Sequence, residues 1–190
     1  QLLAYGDDAA STQFGLNLSG LIGNATVVFG EVAAGKGISL TAQALGLPES
    51  PSNQQRASIG LTYSTTFNLS LSVEAEYSSA APDSAQWNAL PGNAQQQLLA
   101  TSLALQDLPT RRQLFFFATW KDLWVQRFNA SGFLRHDMET RSRSLWLEGR
   151  YAWDRADLTL QWQIFSGPAG SLYHAVPQQQ TLQLALRIYL

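Results

Sequence analysis

Few side chains in this sequence are suited to catalysis. The two histidines, His136 and His174, fall in or beside predicted loops, and Asp137 directly follows His136. Adjacent residues of a strand point to opposite faces, so this spacing does not form an acid/base pair. No serine lies in a Gly-x-Ser-x-Gly setting. The sequence therefore predicts a protein that is not an enzyme. The alternative is an enzyme that acts on lipid or peptide with His136 or His174 as its base.

Metal and cofactor sites are not predicted either. The chain has 0 cysteines, which removes thiolate ligands for zinc or an iron–sulfur cluster. Asp154 and Asp157 flank a predicted turn, where Asp is favoured because it hydrogen-bonds to the backbone. The segment Gly30 to Gly37 contains Lys36 but lacks the spacing of a phosphate-binding loop.

The charge composition excludes other classes of protein. Charged residues make up 14% of the 190 residues, against roughly 25% in soluble domains. The net charge is −2 and Lys36 and Lys121 are the only lysines, so no basic field is present to attract a nucleic acid. Gln, Ser, Thr and Asn replace the missing charge, and this substitution needs a structural explanation.

The strongest pattern is an alternation of apolar and polar residues with a period of two, which indicates β-strands. It is clearest at the C-terminus, where Leu182, Leu184, Leu186, Ile188 and Leu190 alternate with Gln183, Arg187 and other mostly polar residues. About ten segments show this pattern or an aromatic-rich variant of it. They are 14–18, 27–29, 38–42, 57–63, 67–77, 113–120, 124–134, 144–153, 158–165 and 182–190.

The connections between these segments are predicted to alternate between short and long, as in an antiparallel up-and-down meander. The first hairpin, near Ile22 to Asn24, is the exception because it is short where a long connection is expected. With an even number of strands, both chain ends are predicted to lie at the end of the sheet that carries the short turns. The long loop Ser78 to Thr110 contains Pro82, Pro91 and Pro109, and we expect a helical turn or two after Pro91. Residues 1–190 are predicted to form one domain.

The composition of the two faces predicts which solvent each face meets. The polar face is rich in Gln, Ser, Thr and Asn rather than Lys and Glu, which favours a hydrogen-bonded interior. Aromatic residues lie near strand ends on the apolar face, as in the aromatic girdle of a membrane barrel. These are Tyr63, Phe67, Tyr77, Trp120, Tyr151 and Trp153. We therefore predict an all-β, antiparallel, up-and-down transmembrane β-barrel of about ten strands. A soluble lipocalin-like carrier is the alternative.

The last segment carries a family resemblance. Leu182 to Leu190 resembles the alternating C-terminal strand of Gram-negative outer-membrane β-barrel proteins of the porin-like class, although Tyr189 rather than the last residue is aromatic. The resemblance implies a location in the cell outer membrane and contact with membrane lipid, including outer-leaflet lipopolysaccharide. It also implies recognition of this strand by the barrel assembly machinery, and passive passage of small polar solutes or a structural role.

Charged and amide side chains on the polar side of the strands are the candidate pore lining. They are Glu74, Glu76, Glu148, Arg150, Gln161, Gln163, Gln183 and Arg187. Two interpretations remain open: the charges select solutes through a transverse field, or they pair with one another and fill a narrow interior. The first is favoured if the chain is the C-terminal part of a larger barrel.

A second candidate group is basic. Arg135, Arg141 and Arg143 cluster around a predicted loop, where guanidinium groups that point outward can bind the phosphates of lipid. Ordinary solubilising charge at the barrel rim explains the same cluster equally well.

Overall fold

The structure is a computed structural model that describes residues 1–5 and 13–189. Ten antiparallel strands form a single sheet, and each strand pairs with its neighbour in the sequence. The strands are β1 Leu2–Tyr5, β2 Gln13–Ile22, β3 Thr26–Gly37, β4 Ser52–Ser64, β5 Leu69–Ser78, β6 Arg112–Trp120, β7 Phe128–Asp137, β8 Ser142–Ala152, β9 Ala156–Ser166 and β10 Gln180–Ile188. The prediction of an antiparallel up-and-down all-β sheet is confirmed. Among the described residues β1 does not pair with β10, so the sheet has two free edges.

The register brings most of the aliphatic side chains of the strands to one side of the sheet, called here the apolar face. Leu160, for example, pairs with Leu184 on one side and with Gly149 on the other. The apolar face includes Leu16, Leu18, Val28, Val32, Ile59, Leu61, Leu71, Val73, Leu114, Phe116, Leu134, Leu145, Leu147, Trp162 and Leu186. The opposite side is the polar face.

The apolar face is not the core of the molecule. Leu184 is 68% exposed and Leu160 is 47% exposed, and large exposed apolar side chains continue across the sheet to Leu16 and Leu18. On the polar face, the side chains of β6 to β9 are half-buried or buried. The sheet therefore turns its aliphatic side outward and shields its polar side.

Two sequence predictions of individual strands are wrong, and they offset each other in the count. The segment 38–42 belongs to a short helix, α1 Leu40–Leu45, because Ser39 caps it and Gly46 ends it in the left-handed conformation. Strand β1 was not predicted. In the segment 27–29 the alternation predicts Val27 and Phe29 on the apolar face, but the register places them on the polar face. Leu190, predicted to end the last strand, lies outside the described residues.

With the observed strands, short and long connections alternate except at β7, where the preceding connection 121–127 is longer than the following connection 138–141. One end of the strands, called here the short-turn edge, carries the connections 23–25, 65–68, 121–127 and 153–155. This name refers to the strand ends and not to the free edges at β1 and β10. The connections 38–51, 79–111, 138–141 and 167–179 lie at the other end of the strands, the long-loop edge. Since α1 lies within a long connection, the first hairpin is no longer an exception. Ile188 lies at the short-turn edge, as predicted, whereas Leu2 pairs with Leu16 in the middle of β2.

The long connections pack together into a structure that we call the cap, formed by 38–47, 79–111 and 167–179. It contains α1, α2 Ser84–Ala89 and α3 Gly92–Leu105, so the predicted loop carries more helix than expected. Its apolar core consists of Leu40, Ala81, Trp87, Leu98, Leu172 and Tyr173. The indole Nε1 of Trp87 donates to the carbonyl of Gly170 at 2.8 Å, which ties α2 to the last loop. No helix in the described ranges is long and apolar enough to span a membrane.

Candidate functional site

The cap covers the polar face at the long-loop edge. Thr110, Gln113, Asp137 and Ser142 are fully buried there. The carboxylate of Asp137 accepts a hydrogen bond from the hydroxyl of Thr110 and from the backbone amide of Thr140, the latter at 2.8 Å. The amide of Tyr173 donates to the hydroxyl of Ser142 at 3.2 Å. Cap and sheet are therefore joined by buried polar contacts as well as by apolar packing.

An ion pair joins the cap to β4, on the same polar face but away from β6 to β8. Arg56 on β4 points from the polar face to Asp107, which follows α3 and whose side chain is nearly buried. A polar cavity of about 460 Å³ lies beside this pair. Its lining includes Glu31, Glu74 and Glu76 from the strands and residues 106–108 of the cap. The cap thus leaves a polar opening along β3 to β5.

The predicted pore-lining residues all lie on the polar face, but they do not form one cluster. Glu74 and Glu76 line the polar cavity, next to the cap. Across the sheet, Glu148 accepts a hydrogen bond from the amide of Gln161 at 2.6 Å. Gln163 and Gln183 lie on β9 and β10 without joining that contact.

Arg150 and Arg187, the two arginines predicted to line the pore, lie nearer the short-turn edge. Arg150 pairs with Asp157 at 2.6 Å, and Arg187 stands opposite Asp157 in the register of β9 and β10. The hydroxyl of Tyr189 also donates to Asp157, which fixes the end of the chain to the polar face. These contacts favour internal pairing of the charges on β8 to β10, whereas Glu74 and Glu76 remain beside open space.

Aromatic side chains form a band across the middle of the polar face, which the sequence analysis missed. Phe117, Phe133 and Trp146 are consecutive partners on β6, β7 and β8, and the rings of Phe133 and Trp146 are 5.6 Å apart. Phe115 lies 6.5 Å from Phe117 and 5.7 Å from Phe133. The run Phe115-Phe116-Phe117 was the available signal, because alternation forces two of its three rings onto one face.

Arg135 does not belong with the rim arginines. Its guanidinium lies 5.4 Å from the centre of the Phe115 ring on the polar face. Burial raises the pKa of the Tyr173 hydroxyl, against the opposing effect of the nearby Arg135. The predicted outward position of Arg135 is therefore wrong. Arg141 and Arg143 are both exposed at the long-loop edge, and Arg143 lies on the apolar face opposite His136.

The histidines are placed apart from the polar cavity. His136 lies on the apolar face between Leu114 and Arg143, and its neighbour Asp137 is buried on the other face. His174 is exposed in the loop 167–179. Within the described residues, no group of three or more potential metal-ligating side chains is present.

Buried polar atoms without partners lie under the cap. Oε2 of Glu76, Oε1 of Gln113 and Nε of Arg135 have no hydrogen-bond partner in the part of the chain that the structure describes. Glu76 and Gln113 are paired neighbours on β5 and β6, and Arg135 lies on β7. Buried polar groups are normally satisfied, so these atoms are available to hold water or a polar solute.

No protein-family model, curated protein or solved structure matches this chain. Its function therefore has to be argued from the two faces of the sheet, the cap and the polar cavity.

Proposed function

We propose that this chain is a β-barrel of the Gram-negative outer membrane that lets small polar solutes pass along its polar face. The observation that carries the proposal is the exposed apolar face. Ten strands about 4.8 Å apart make a face roughly 45 Å wide, with an area on the order of 1,000 Å². Soluble monomers rarely expose an apolar patch above a few hundred Å². At roughly 25 cal/mol per Å², transfer of this face to lipid contributes on the order of 25 kcal/mol.

In lipid the two free edges of the sheet have to be paired, since each unsatisfied backbone group there costs several kcal/mol. An even number of strands makes β1 and β10 antiparallel, so they can pair with each other and close the barrel. Most residues of β2 and β10 are exposed on both faces, as expected for strands next to an unclosed seam. In a larger barrel, further strands would lie between the same two edges.

The natural absence of cysteine makes closure directly testable. Ala4→Cys is combined in turn with Leu182→Cys, Leu184→Cys and Leu186→Cys, and the membrane-inserted protein is oxidised. An intramolecular disulfide in one of these pairs supports closure within the chain. A disulfide-linked dimer, or no cross-link in any pair, contradicts it and favours closure by other strands.

The route proposed for solutes is the polar cavity beside Arg56 and Asp107. Carboxylates and a guanidinium group both line it, so the electrostatic potential along the cavity favours neither anions nor cations uniformly. We therefore propose uncharged or zwitterionic solutes of small size. The aromatic band limits the width of the route further along the polar face and accounts for selection by size.

Two measurements test the proposal separately. The purified chain should require detergent and should migrate differently on a gel before and after heating. A chain that is monodisperse in plain buffer would refute the membrane location. In planar bilayers the inserted chain should conduct above background with weak selectivity between anions and cations. Insertion without conductance would leave a structural barrel and remove passage.

The proposed partners are membrane lipid, including outer-leaflet lipopolysaccharide, and the assembly machinery that recognises the C-terminal strand. We propose no catalytic role for the histidines. His136→Ala and His174→Ala should leave conductance unchanged and should not alter any lipid or peptide hydrolysis. If the wild-type chain hydrolyses lipid or peptide and either variant loses this activity, the enzymatic alternative is favoured over solute passage.

A further inference from the structure

Two cavities meet on the outer surface at the long-loop edge. One is a polar pocket of about 420 Å³ between α2, the β7–β8 turn and the loop 167–171. The other is an apolar groove of about 490 Å³ that crosses the apolar face from β2 to β6. Arg112 and Met138 line both cavities, so the polar pocket adjoins the apolar groove.

The polar pocket has a basic and hydrogen-bonding lining. Arg112 is half-exposed, and its Nε donates to Glu139 at 2.7 Å, which leaves other N–H groups of the guanidinium to face the pocket. Arg141 is exposed on the other side. Glu139 is buried and also accepts from the amide of Ser84 at 3.1 Å, so it acts as a positioning residue for Arg112. Asp83, the other acid near Arg112, is paired with Arg111.

A buried hydroxyl in the same pocket points to a ligand. Ser171 is 3% exposed and lines the polar pocket, yet its Oγ has no hydrogen-bond partner among the described residues. Beside the pocket, Arg143 lies opposite His136 on the apolar face and adds another cation to this surface. A ligand with several anionic oxygens would match this set of donors.

We propose that the pocket and groove together bind one molecule of an anionic lipid whose headgroup carries phosphate. Phosphate oxygens accept hydrogen bonds from Arg112 and Arg141, and an acyl chain lies in the groove along Tyr77, Ala57 and Val32. The proposal rests on the proposed membrane location, which places this edge at headgroup level, but it does not depend on solute passage. A free phosphate ion would use the polar pocket alone and leave the groove without a role.

Binding is measured on the full chain in a nonionic detergent. The probes are short-chain phosphatidylglycerol, short-chain phosphatidylcholine and inorganic phosphate. We expect phosphatidylglycerol to bind at least roughly tenfold more tightly than either of the others. Arg112→Gln and Arg141→Gln should each weaken its binding about tenfold, because each removes one charge-assisted contact. Arg155→Gln, an exposed residue at the short-turn edge, is the matched control and should change nothing.

The groove is tested independently of the arginines, since Arg112→Gln also frees the buried Glu139. Ala57→Phe fills the groove and should weaken phosphatidylglycerol but leave the binding of inorganic phosphate unchanged. Ala118→Phe fills a different apolar groove, of about 530 Å³, and serves as its control. Equal effects of the two Phe variants would overturn the role of the groove.

Three further outcomes would overturn the proposal. They are equal binding of phosphatidylcholine and phosphatidylglycerol, equal binding of inorganic phosphate and the lipid, and no effect of Arg141→Gln. A chain that inserts and conducts in bilayers but gives one of these outcomes refutes the lipid site alone. A chain that is stable without detergent refutes the membrane location first.

Discussion

Replacing Trp87 by Ala should open the cap while the sheet stays folded. Trp87 is 0% exposed and belongs to the cap core, whose members come from the three segments that form the cap. Its backbone carbonyl accepts from the side chain of Gln95 at 3.2 Å, and this bond survives the substitution. The change therefore removes the indole and little else.

The expected magnitude follows from burial. Truncation of a buried Trp to Ala costs about 3–5 kcal/mol, because apolar contacts are lost and a cavity remains. The lost bond from Nε1 to Gly170 adds about 0.5 kcal/mol at most, since Gly170 is exposed and water can replace the donor. The higher helix propensity of Ala offsets a similar amount. The opening equilibrium of the cap should thus rise roughly 10²- to 10⁴-fold.

Amide hydrogen exchange measures this opening segment by segment. In Trp87→Ala the amides of α3 should exchange faster by that factor, whereas amides in the β6–β9 ladders should keep the wild-type rate. In the proposed channel, conductance should increase as well, because the cap no longer covers the polar face. Trp124 is 88% exposed in a turn at the short-turn edge, so Trp124→Ala is the matched control.

Two results would refute this reasoning. If exchange in β6–β9 accelerates together with α3, cap and sheet open as one unit. If Trp87→Ala behaves like Trp124→Ala, which should change stability by less than about 0.5 kcal/mol, the cap core does not hold the long connections together.

Three further predictions concern the attachment of the cap. Arg56→Gln breaks the pair with Asp107 at a cost of about 1 kcal/mol or less and should raise bilayer conductance, whereas Arg127→Gln at the opposite edge should not. Burial raises the pKa of Tyr173, so the contribution of this hydroxyl to stability is complete below about pH 10 and declines above it. The cap should therefore open in alkali. Tyr173→Phe should remove this pH dependence from the unfolding curves. Asp137→Asn should lower the free energy of unfolding by about 1–3 kcal/mol, because an amide cannot accept all the buried donors; an unchanged denaturation midpoint would contradict this.

The sequence predicted the two faces of the sheet because alternation is a local property. Leu160, Leu184 and Gln161 lie where their parity puts them, and the pairing of β9 with β10 follows from their adjacency. The same alternation predicts the wrong element at Leu40, where apolar residues two apart fit a strand as well as a short helix. There the decisive signals were the capping side chain of Ser39 and the left-handed Gly46.

The candidate site was less predictable because it depends on contacts between distant segments. The packing of Trp87 against Leu172 joins parts of the chain that no periodicity connects. Arg112 and Met138 come together only through the register of β6 with β7 and the turn that follows. The position of Arg135 over Phe115 was obscured by an aromatic-rich strand whose two faces carry similar side chains.

The cap core has a consequence for calorimetry. Apolar side chains that unfold into water raise the heat capacity, whereas side chains that leave one hydrocarbon environment for another do not. In this protein the apolar core residues that are shielded from water lie around Trp87 and Leu98. The strands carry most of their aliphatic side chains outward. A barrel in lipid should therefore show a heat-capacity increment on melting that reflects the cap and the aromatic band, and the increment should be small for a chain of 190 residues.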